Sequence, residues 1–187
     1  MIPIKSERDL RIMRKSCEIA ANVLDEICRL AVPGVSTWEL DRAAKRIMEK
    51  HHCRSAEYKY KCGPLSYPGY VCISVNDQVI HGIGSKERIL KDSDIVSFDC
   101  ATIFQGFVGD NARTVFIGEP SPEVRRLVET TAEALNLGIE MARPGNRVGD
   151  ISAAIQRHVE SRGFGIVREF TGHGAVSYTH LRAHETR

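Results

Sequence analysis

The sequence predicts an α/β chain of the α+β type, built as two related halves that each consist of a helix pair followed by sheet. Three observations support this architecture: residues 6–51 have the apolar spacing of two amphipathic helices, residues 71–118 are rich in β-forming residues, and residues 120–163 return to helical spacing. A length of 187 residues is enough for one sizeable core. The 42% of hydrophobic and 27% of charged residues are typical of a globular protein.

Net charge and hydropathy exclude several classes of partner. The 26 basic and 24 acidic residues nearly balance, so there is no electrostatic case for nucleic-acid specificity or for binding to an anionic membrane. The N-terminal stretch is charged where a signal peptide would be apolar, and no run approaches the ~20 apolar residues that span a bilayer. We therefore expect a cytoplasmic protein that makes no membrane contact.

The six cysteines show no CxxC spacing. This pattern favours reduced thiols over a disulfide framework. A zinc site formed by His51, His52, Cys53 and Cys62 is the alternative, although structural zinc sites usually show paired close ligands. Reduced thiols are therefore the prediction.

Two helices in tandem are predicted at the start of the chain. Ser6 and Asp9 resemble a capping box before the first apolar stripe, and Pro33-Gly34 ends that helix. Ser36 and Glu39 form a second capping-box pattern before a helix that fades at residues 51–52. The apolar positions of the first stripe recur every three or four residues: Leu10, Met13, Cys17, Ala20, Leu24 and Ile27.

The period changes after Pro68-Gly69, where short β-rich runs begin. VCISV at 71–75 is a predicted strand, and QVIHG at 78–82 is the predicted returning strand of a hairpin. DIVSFDCATIF at 94–104 and GFVGDNARTVFIG at 106–118 predict a second, longer hairpin. Together these runs predict a sheet of hairpins.

The second half of the chain repeats the first. Two helical patterns end at Pro144-Gly145 and at Gly163, and GFGIVREF at 163–170 follows as a predicted strand. A shift of 111 residues superposes Pro33-Gly34 on Pro144-Gly145 without a gap, and it matches several helix positions on either side. We interpret this match as an internal duplication in which the second copy is unfinished. The alternative is a chance likeness, because any two helix pairs joined by Pro-Gly would match to some extent.

Asp99 and Asp110 are the most informative pair of candidate site residues. If the hairpin turn centres on Phe104-Gln105, the two aspartates lie directly opposite each other, with Cβ atoms ~4.5–5.5 Å apart. Two carboxylates that close repel by roughly 3 kcal/mol, so they need a shared proton or a cation between them. A divalent metal is the simplest answer, and two solvated aspartates or a turn centred elsewhere is the alternative.

His81 and His173 each have a glycine immediately after them. A neighbour without a side chain lets a substrate or metal approach the imidazole closely. Each histidine taken alone is more often a turn residue than a ligand. The glycines therefore mark both residues as candidates only.

A larger set of motifs is more specific. The segments VCISVNDQVIHGI, DIVSFD, GDNARTVFIG and PGNRVGDISAAIQRHVESRGFGIVREFTGHG, in this order and spacing, closely resemble type I methionine aminopeptidase. The resemblance extends from about Ile4 to Gly174. It implies the pita-bread fold, in which two related halves cover a central antiparallel sheet.

The resemblance implies a role for each matching residue. Asp99, Asp110 and His173 match the family's metal ligands, and His81 matches the catalytic histidine that contacts substrate near the scissile peptide. Tyr67 and Cys72 match substrate-binding positions around the methionine side chain.

The implied chemistry is metal-assisted hydrolysis of the peptide bond after an N-terminal methionine. The cofactors would be two divalent metal ions, and oxygen ligands with one imidazole suit Co, Mn, Fe or Zn equally. The partners would be peptide N-termini that begin with methionine, with the ribosome surface as a further contact. The resemblance also implies a monomer.

Several positions depart from the family pattern. Gly84 stands where the family has proline, and Lys61 and Pro64 change the pocket loop. The family's two downstream glutamate ligands have no match in this chain. We expect an incomplete pita-bread domain over residues 1–175, with the first repeat at about 1–117 and a partial second repeat at about 118–175, and a non-native tail at 176–187.

Two other functions stay open from the sequence. A catalytically inactive pita-bread protein that binds peptides or ribosomes would explain the absent ligands. A hydrolase in which Asp99 and Asp110 share a proton would need no metal. The presence of His81 and His173 favours the metal-dependent enzyme. Because the chain has only three of the five metal ligands that the family uses, we expect the chain itself to have little activity.

Overall fold

The computed structural model describes residues 4–62, 64–168 and 172–174. These residues form two compact units, the first made of residues up to 119 together with His173 and Gly174, and the second beginning at Pro120. The helices of the described residues, α1 to α4, occupy Glu7–Leu30, Thr37–Lys50, Pro122–Met141 and Val148–Ser161. Their strands, β1 to β6, occupy Arg54–Ser55, Lys61–Cys62, Leu65–Ser66, Cys72–Val75, Ile95–Phe104 and Phe107–Phe116.

Both predicted capping boxes are confirmed in the first unit. The Asp9 N–H donates to the Ser6 hydroxyl, and the Asp9 carboxylate accepts from the Ser6 N–H at 3.0 Å. Ser36 and Glu39 make the same reciprocal pair at the start of α2. Each box satisfies N–H groups that the first helical turn leaves without partners.

None of the described helices is long and apolar enough to cross a bilayer.

Strand β5 is the centre of the main sheet. One of its edges pairs with β6 along all ten residues, and the other edge pairs first with β4 and then with β1, all antiparallel. A separate hairpin joins β2 to β3. The prediction that residues 78–82 return as a strand beside β4 is wrong, because these residues are irregular. Gly82 lies next to β4, where its carbonyl accepts the Ile73 N–H and its N–H donates to the Ser74 hydroxyl.

The register of the long hairpin also differs from the prediction. Asp99 lies opposite Ala112, and Asp110 lies opposite Ala101, so the predicted direct pairing of the aspartates is off by two residues. The turn falls on Gln105 and Gly106, which both have positive φ, +48° and +86°. Two-residue turns with positive φ at both positions match the twist of the flanking strands, which explains why the turn sits one residue later than predicted.

The core of the first unit lies between its two helices and one face of the sheet. Residues on that face of β5, among them Val96, Phe98 and Cys100, are fully buried against the apolar stripes of α1 and α2. The alternation along β5 is regular, because successive residues of a strand point to opposite faces. The other face therefore carries the odd-numbered residues, including Asp99.

The helix bounds support the predicted duplication. Adding 111 to the ends of α2 gives the ends of α4, and adding 111 to the last residue of α1 gives the last residue of α3. Gly34 and Gly145, also 111 apart, have φ of +93° and +92°. The predicted strand at 163–170 is wrong for residues 163–168, which are irregular, and residues 169–170 lie outside the described residues.

Candidate metal centre

Asp99 and Asp110 lie on the same face of the β5–β6 hairpin. Their direct partners, Ala112 and Ala101, are each two positions from the other aspartate, and residues two apart on a strand share a face. Diagonal neighbours of this kind are ~7–8 Å apart at the backbone, within reach of each other through their side chains. The corrected register therefore keeps the two carboxyl groups together, as diagonal rather than direct neighbours.

The neighbouring residue Gly109 determines how closely α1 covers the opposite face. A Cβ at Gly109 would lie 2.3 Å from the carbonyl oxygen of Ser16, so only glycine fits. The Ser16 hydroxyl donates to the carbonyl of Phe107 at 2.9 Å and fixes α1 on β6. With Gly109 against the helix, Asp110 must point to the other side.

Burial and mutual repulsion both act on the two aspartates. Burial raises the pKa of Asp99 above its usual value, and the charge of Asp110 raises the pKa of Asp99 further. Burial also raises the pKa of Asp110, while the nearby His173 lowers it. Two acidic groups that resist ionisation together form a site that a cation would stabilise.

His173 lies beside this pair. Its Nε2 atom is 4.0 Å from an Oδ atom of Asp110, and the imidazole remains more exposed than the carboxylate. The residue belongs to the first unit although the second unit precedes it in the chain. The structure therefore brings together Asp99, Asp110 and His173. His180 and His184 lie outside the described residues.

His81 lies next to the site in a conformation that non-glycine residues seldom adopt. Its φ is +59°, in the left-handed region. Its Nδ1 atom is 3.7 Å from the sulfur of Cys72, and its charge lowers the pKa of Asp99. Such backbone strain persists where the surrounding structure holds it, often at functional sites.

Gly82 explains the glycine that follows His81. A Cβ there would lie 2.1 Å from the carbonyl oxygen of Ile73, and the Gly82 carbonyl accepts the Ile73 N–H at 2.8 Å. The glycine is therefore required for close packing on β4. This packing explains why residue 82 is glycine, and the predicted reason, room for a substrate or metal beside His81, is wrong.

Tyr67 and Cys72 both contact the His81–Gly82 segment. The Tyr67 hydroxyl donates to the carbonyl of Gly82 at 2.7 Å, and burial raises the pKa of the phenol. Cys72 is buried opposite Asp99 in the sheet, and burial raises the pKa of its thiol to about 12. At neutral pH the thiol is protonated, so it lines the site as a small apolar group and is no nucleophile.

Two carboxyl groups near the site were not singled out from the sequence. Asp41 is buried and accepts the N–H groups of Tyr70 and Val71, which anchors the loop that carries Tyr67. Glu57 accepts the N–H of Ala101 at 2.6 Å, and burial raises the pKa of its carboxyl to about 8. The polar spacing of the sequence gives no sign that either side chain turns inward.

The donor set fits a divalent transition metal. Two carboxylates and one imidazole are ligands that Mn, Fe, Co and Zn all accept. A cation would also offset the charge repulsion between Asp99 and Asp110. Among the residues that the structure describes, no three His, Cys, Asp or Glu side chains converge tightly enough to enclose an ion. The carboxylate pair is thus an open site with His173 at its edge.

Comparison with known proteins places this geometry in context. The sequence matches the family model of metallopeptidase family M24 over residues 11–185. It is 41% identical over 181 residues to a methionine aminopeptidase of Aquifex aeolicus, covering 96% of this chain and 70% of that protein. It is 44% identical over 181 residues to a methionine aminopeptidase of Clostridium perfringens, with the same coverage of both chains.

Solved structures give the same result for the fold. The crystal structure of methionine aminopeptidase from Thermotoga maritima superposes with a TM-score of 0.89 at 37% identity, covering 94% of this chain and 69% of that one. This likeness confirms the predicted pita-bread fold. The chain spans about 70% of the length of the relatives that it matches.

Proposed function

This chain belongs to the methionine aminopeptidases of metallopeptidase family M24, and from this premise we propose that the enzyme, at the length of its relatives, removes the initiator methionine from newly made proteins. One observation carries the proposal. The β5–β6 hairpin holds Asp99 and Asp110 on one face, with His173 4.0 Å from Asp110. This set of oxygen and nitrogen donors suits a hydrolytic metal.

In this proposal Asp99, Asp110 and His173 bind the divalent metal that the family requires. We propose two ions, and Co, Mn, Fe and Zn all fit because the donors do not select among them. The ions would supply Lewis-acid polarisation of the scissile carbonyl and a more acidic water. The protein's contribution is the β5–β6 hairpin, whose register places both carboxylates on one face of the sheet.

His81 is the proposed catalytic residue among the protein side chains. Its imidazole lies beside Cys72 and close enough to Asp99 to lower the pKa of that carboxyl. From there its N–H can donate to the oxygen that becomes negative during attack on the carbonyl. The contacts of Gly82 with β4 maintain the left-handed backbone at His81 beside the aspartates.

Tyr67 and Cys72 are the proposed substrate-binding residues for the methionine side chain. The Tyr67 hydroxyl is already bound to backbone carbonyls, which leaves the ring as the surface offered to a ligand. The protonated Cys72 thiol is apolar and polarizable, as is a thioether. Both properties favour an unbranched, sulfur-containing side chain over a charged one.

The setting of the enzyme follows from the same proposal. Its substrates are peptide N-termini that begin with methionine, and it acts as a monomer in the cytoplasm, where nascent chains emerge at the ribosome surface. We also propose that the 187-residue chain has little or no activity by itself. The two glutamate ligands expected from the family resemblance have no counterpart in it, and three ligands seldom hold two ions.

Release of methionine from a Met-Ala peptide tests the proposal. We expect the chain alone to show at most trace turnover, and a chain extended to the length of its relatives to show turnover that EDTA abolishes. In the extended chain, Asp99→Asn and Asp110→Asn should each lower kcat/KM at least about 100-fold, since each removes a ligand. Asp77→Asn, an exposed aspartate in a turn, is the matched control and should leave turnover unchanged.

Two outcomes would replace the proposal with another function. Turnover that survives EDTA would favour a hydrolase in which Asp99 and Asp110 share one proton, an arrangement that the raised pKa of Asp99 also permits. An extended chain that carries no stoichiometric transition metal and cleaves nothing would favour a peptide-binding protein. Ordinary turnover by the 187-residue chain would contradict the claim that it is inactive.

A further inference from the structure

Strand β5 changes partners beside the candidate metal centre. Along the edge opposite β6, β4 pairs with residues 96–99 and β1 pairs with residues 102–103. Cys100 and Ala101 therefore lie in a gap between two partner strands. This gap begins directly after Asp99, and Ala101 is the residue that faces Asp110 across the hairpin. Any movement of the backbone at Ala101 would displace both carboxylates.

Residues 56 and 57 close this gap. The Ala56 N–H donates to the Ala101 carbonyl at 2.8 Å, which continues the β1 ladder by one bond. The next acceptor is a side chain, because the Glu57 carboxyl accepts the Ala101 N–H at 2.6 Å. Glu57 thus occupies the position of a missing strand carbonyl. A buried N–H without such a partner would cost about 1–3 kcal/mol.

The other oxygen of Glu57 connects the gap to the pocket loop. It lies 2.9 Å from the Ser55 hydroxyl, and that hydroxyl lies 2.7 Å from the Tyr70 carbonyl. The same Ser55 oxygen accepts the Tyr58 N–H at 2.9 Å. Ser55 therefore joins both ends of the loop 58–70 that carries Tyr67.

The Ser55 hydroxyl connects Glu57 to the loop through several hydrogen bonds. Its one proton lies between two acceptors, the Glu57 carboxyl and the Tyr70 carbonyl. Its oxygen accepts the N–H groups of Glu57 and Tyr58, at 3.0 and 2.9 Å, which occupies both of its lone pairs. Ser55 therefore holds the Glu57 backbone and carboxyl beside the loop.

Glu57 is not a metal ligand in this geometry. No three ligand side chains converge among the described residues, and the contacts of Glu57 are with a backbone N–H and a serine. Its effect must pass through the backbone of β5 and through the loop. We propose that Glu57 is a positioning residue that fixes the strand of Asp99 against the loop of Tyr67, and thereby determines the affinity of the site for a divalent metal.

This inference rests on the proposed metal site, and its test needs no enzymatic activity. The chain would be prepared with Glu57→Gln and Glu57→Ala, and two quantities would be measured. The first is hydrogen exchange of the Ala101 amide in ¹⁵N-labelled protein without metal. The second is the Kd of Mn²⁺ by calorimetry.

The two variants should behave differently. Glu57→Gln keeps an oxygen for the Ala101 N–H, and the Ser55 hydroxyl keeps the Tyr70 carbonyl as its acceptor, so we expect slow amide exchange and a Kd within about 3-fold of the unmutated chain. Glu57→Ala leaves the Ala101 N–H without its acceptor, and we expect at least about 10-fold faster exchange and a Kd weaker by about 10-fold or more, as for other outer-shell changes.

A matched control exists in the same unit. Ser85 and Glu87 form the same local hydrogen bonds as Ser55 and Glu57, but on the exposed surface. Glu87→Ala should change neither exchange at Ala101 nor the Kd.

Three results would overturn the inference. They are unchanged exchange and Kd in Glu57→Ala, a Glu57→Gln variant as impaired as Glu57→Ala, and an equal loss in Glu87→Ala. Absence of Mn²⁺ binding by the parent chain would count against the proposed metal site itself, while exchange at Ala101 would still decide whether Glu57 holds β5.

Discussion

The two helix pairs of this protein have the same spacing but very different burial. Leu24 in α1 is 2% exposed, whereas Leu135, its counterpart 111 residues later in α3, is 57% exposed. α1 and α2 together bury thirteen residues, while α4 has none that is fully buried. The first pair packs on a sheet, and the described residues of the second unit include no strand.

The difference shows that an amphipathic pattern does not by itself bury a helix. Both pairs have apolar stripes, and in both units the two helices pack on each other; in the second, a Cβ at Gly138 would lie 2.9 Å from the Ile155 side chain. The stripe that faces a sheet forms the main core, whereas α3 buries only Thr130, Ala134 and Gly138. The similarity of the two copies therefore predicts where the helices begin and end better than it predicts how much each helix pair contributes to the stability of the protein.

The largest expected effect compares the two equivalent leucines. Leu24→Ala removes a fully buried side chain and should lower the free energy of unfolding by about 3 kcal/mol. Leu135→Ala trims an exposed side chain and should change it by less than about 0.5 kcal/mol. Urea denaturation of both variants checks this, and equal losses would mean that the second stripe is covered in solution.

A smaller effect concerns pH and the buried carboxyl of the first unit. The pKa of Glu57 is about 8 in the folded chain against a usual 4.5, so folding favours the uncharged form. Its contribution to stability is complete below pH 4.5 and is lost as pH rises through 8. We expect Glu57→Gln to be more stable than the parent at pH 9, by about 1–3 kcal/mol, and similar to it at pH 5.

Thermal unfolding at both pH values measures this difference. The groups that face Glu57 are Asp99, Tyr67, Cys72 and Cys100, and the Glu57→Gln variant retains them all. Glu140→Gln, which changes an exposed carboxyl in α3, is the control and should leave the pH dependence as it was. A parent and Glu57→Gln variant with parallel pH profiles would contradict the expectation.

The smallest effect concerns the helix starts, which also differ between the copies. Ser36 accepts from the Glu39 N–H, and its counterpart in α4 is Arg147, which has no acceptor to offer. Asp150 still accepts the Arg147 N–H at 2.7 Å, so half of the box remains. Ser36→Ala should cost about 1 kcal/mol, and Arg147→Ser should gain about 0.5 kcal/mol. A lower denaturation midpoint for Ser36→Ala and a higher one for Arg147→Ser would support the comparison; a loss in both would not.

Much of the fold could be predicted from local patterns. Helix bounds, caps and the repeat depend on neighbouring residues, and all four helices formed where apolar spacing and Pro-Gly pairs indicated. The register of the hairpin could not be fixed in the same way. It depends on which two residues adopt positive φ, and Gln105-Gly106 was chosen over Phe104-Gln105 by the twist of the strands.

The site was predictable to a different extent. The motif resemblance pointed to Asp99, Asp110, His81 and His173, and the structure brings these residues to one region of the first unit. Glu57 was missed because a charged residue beside tyrosines is usually solvated, and nothing local marks a carboxyl that completes a strand edge. Partners that are distant in sequence decide such burial.

The turn at Gln105-Gly106 has a consequence for how this protein can change in evolution. Side chains at the turn point into open space, since a Cβ at Gly106 would meet nothing within 4 Å. Substitutions that keep the left-handed backbone should therefore accumulate there freely. Insertions or deletions of a single residue should not, because each would rotate Asp110 to the helix side of the sheet and separate it from Asp99. Among homologous chains this turn is expected to vary in composition while its length stays constant.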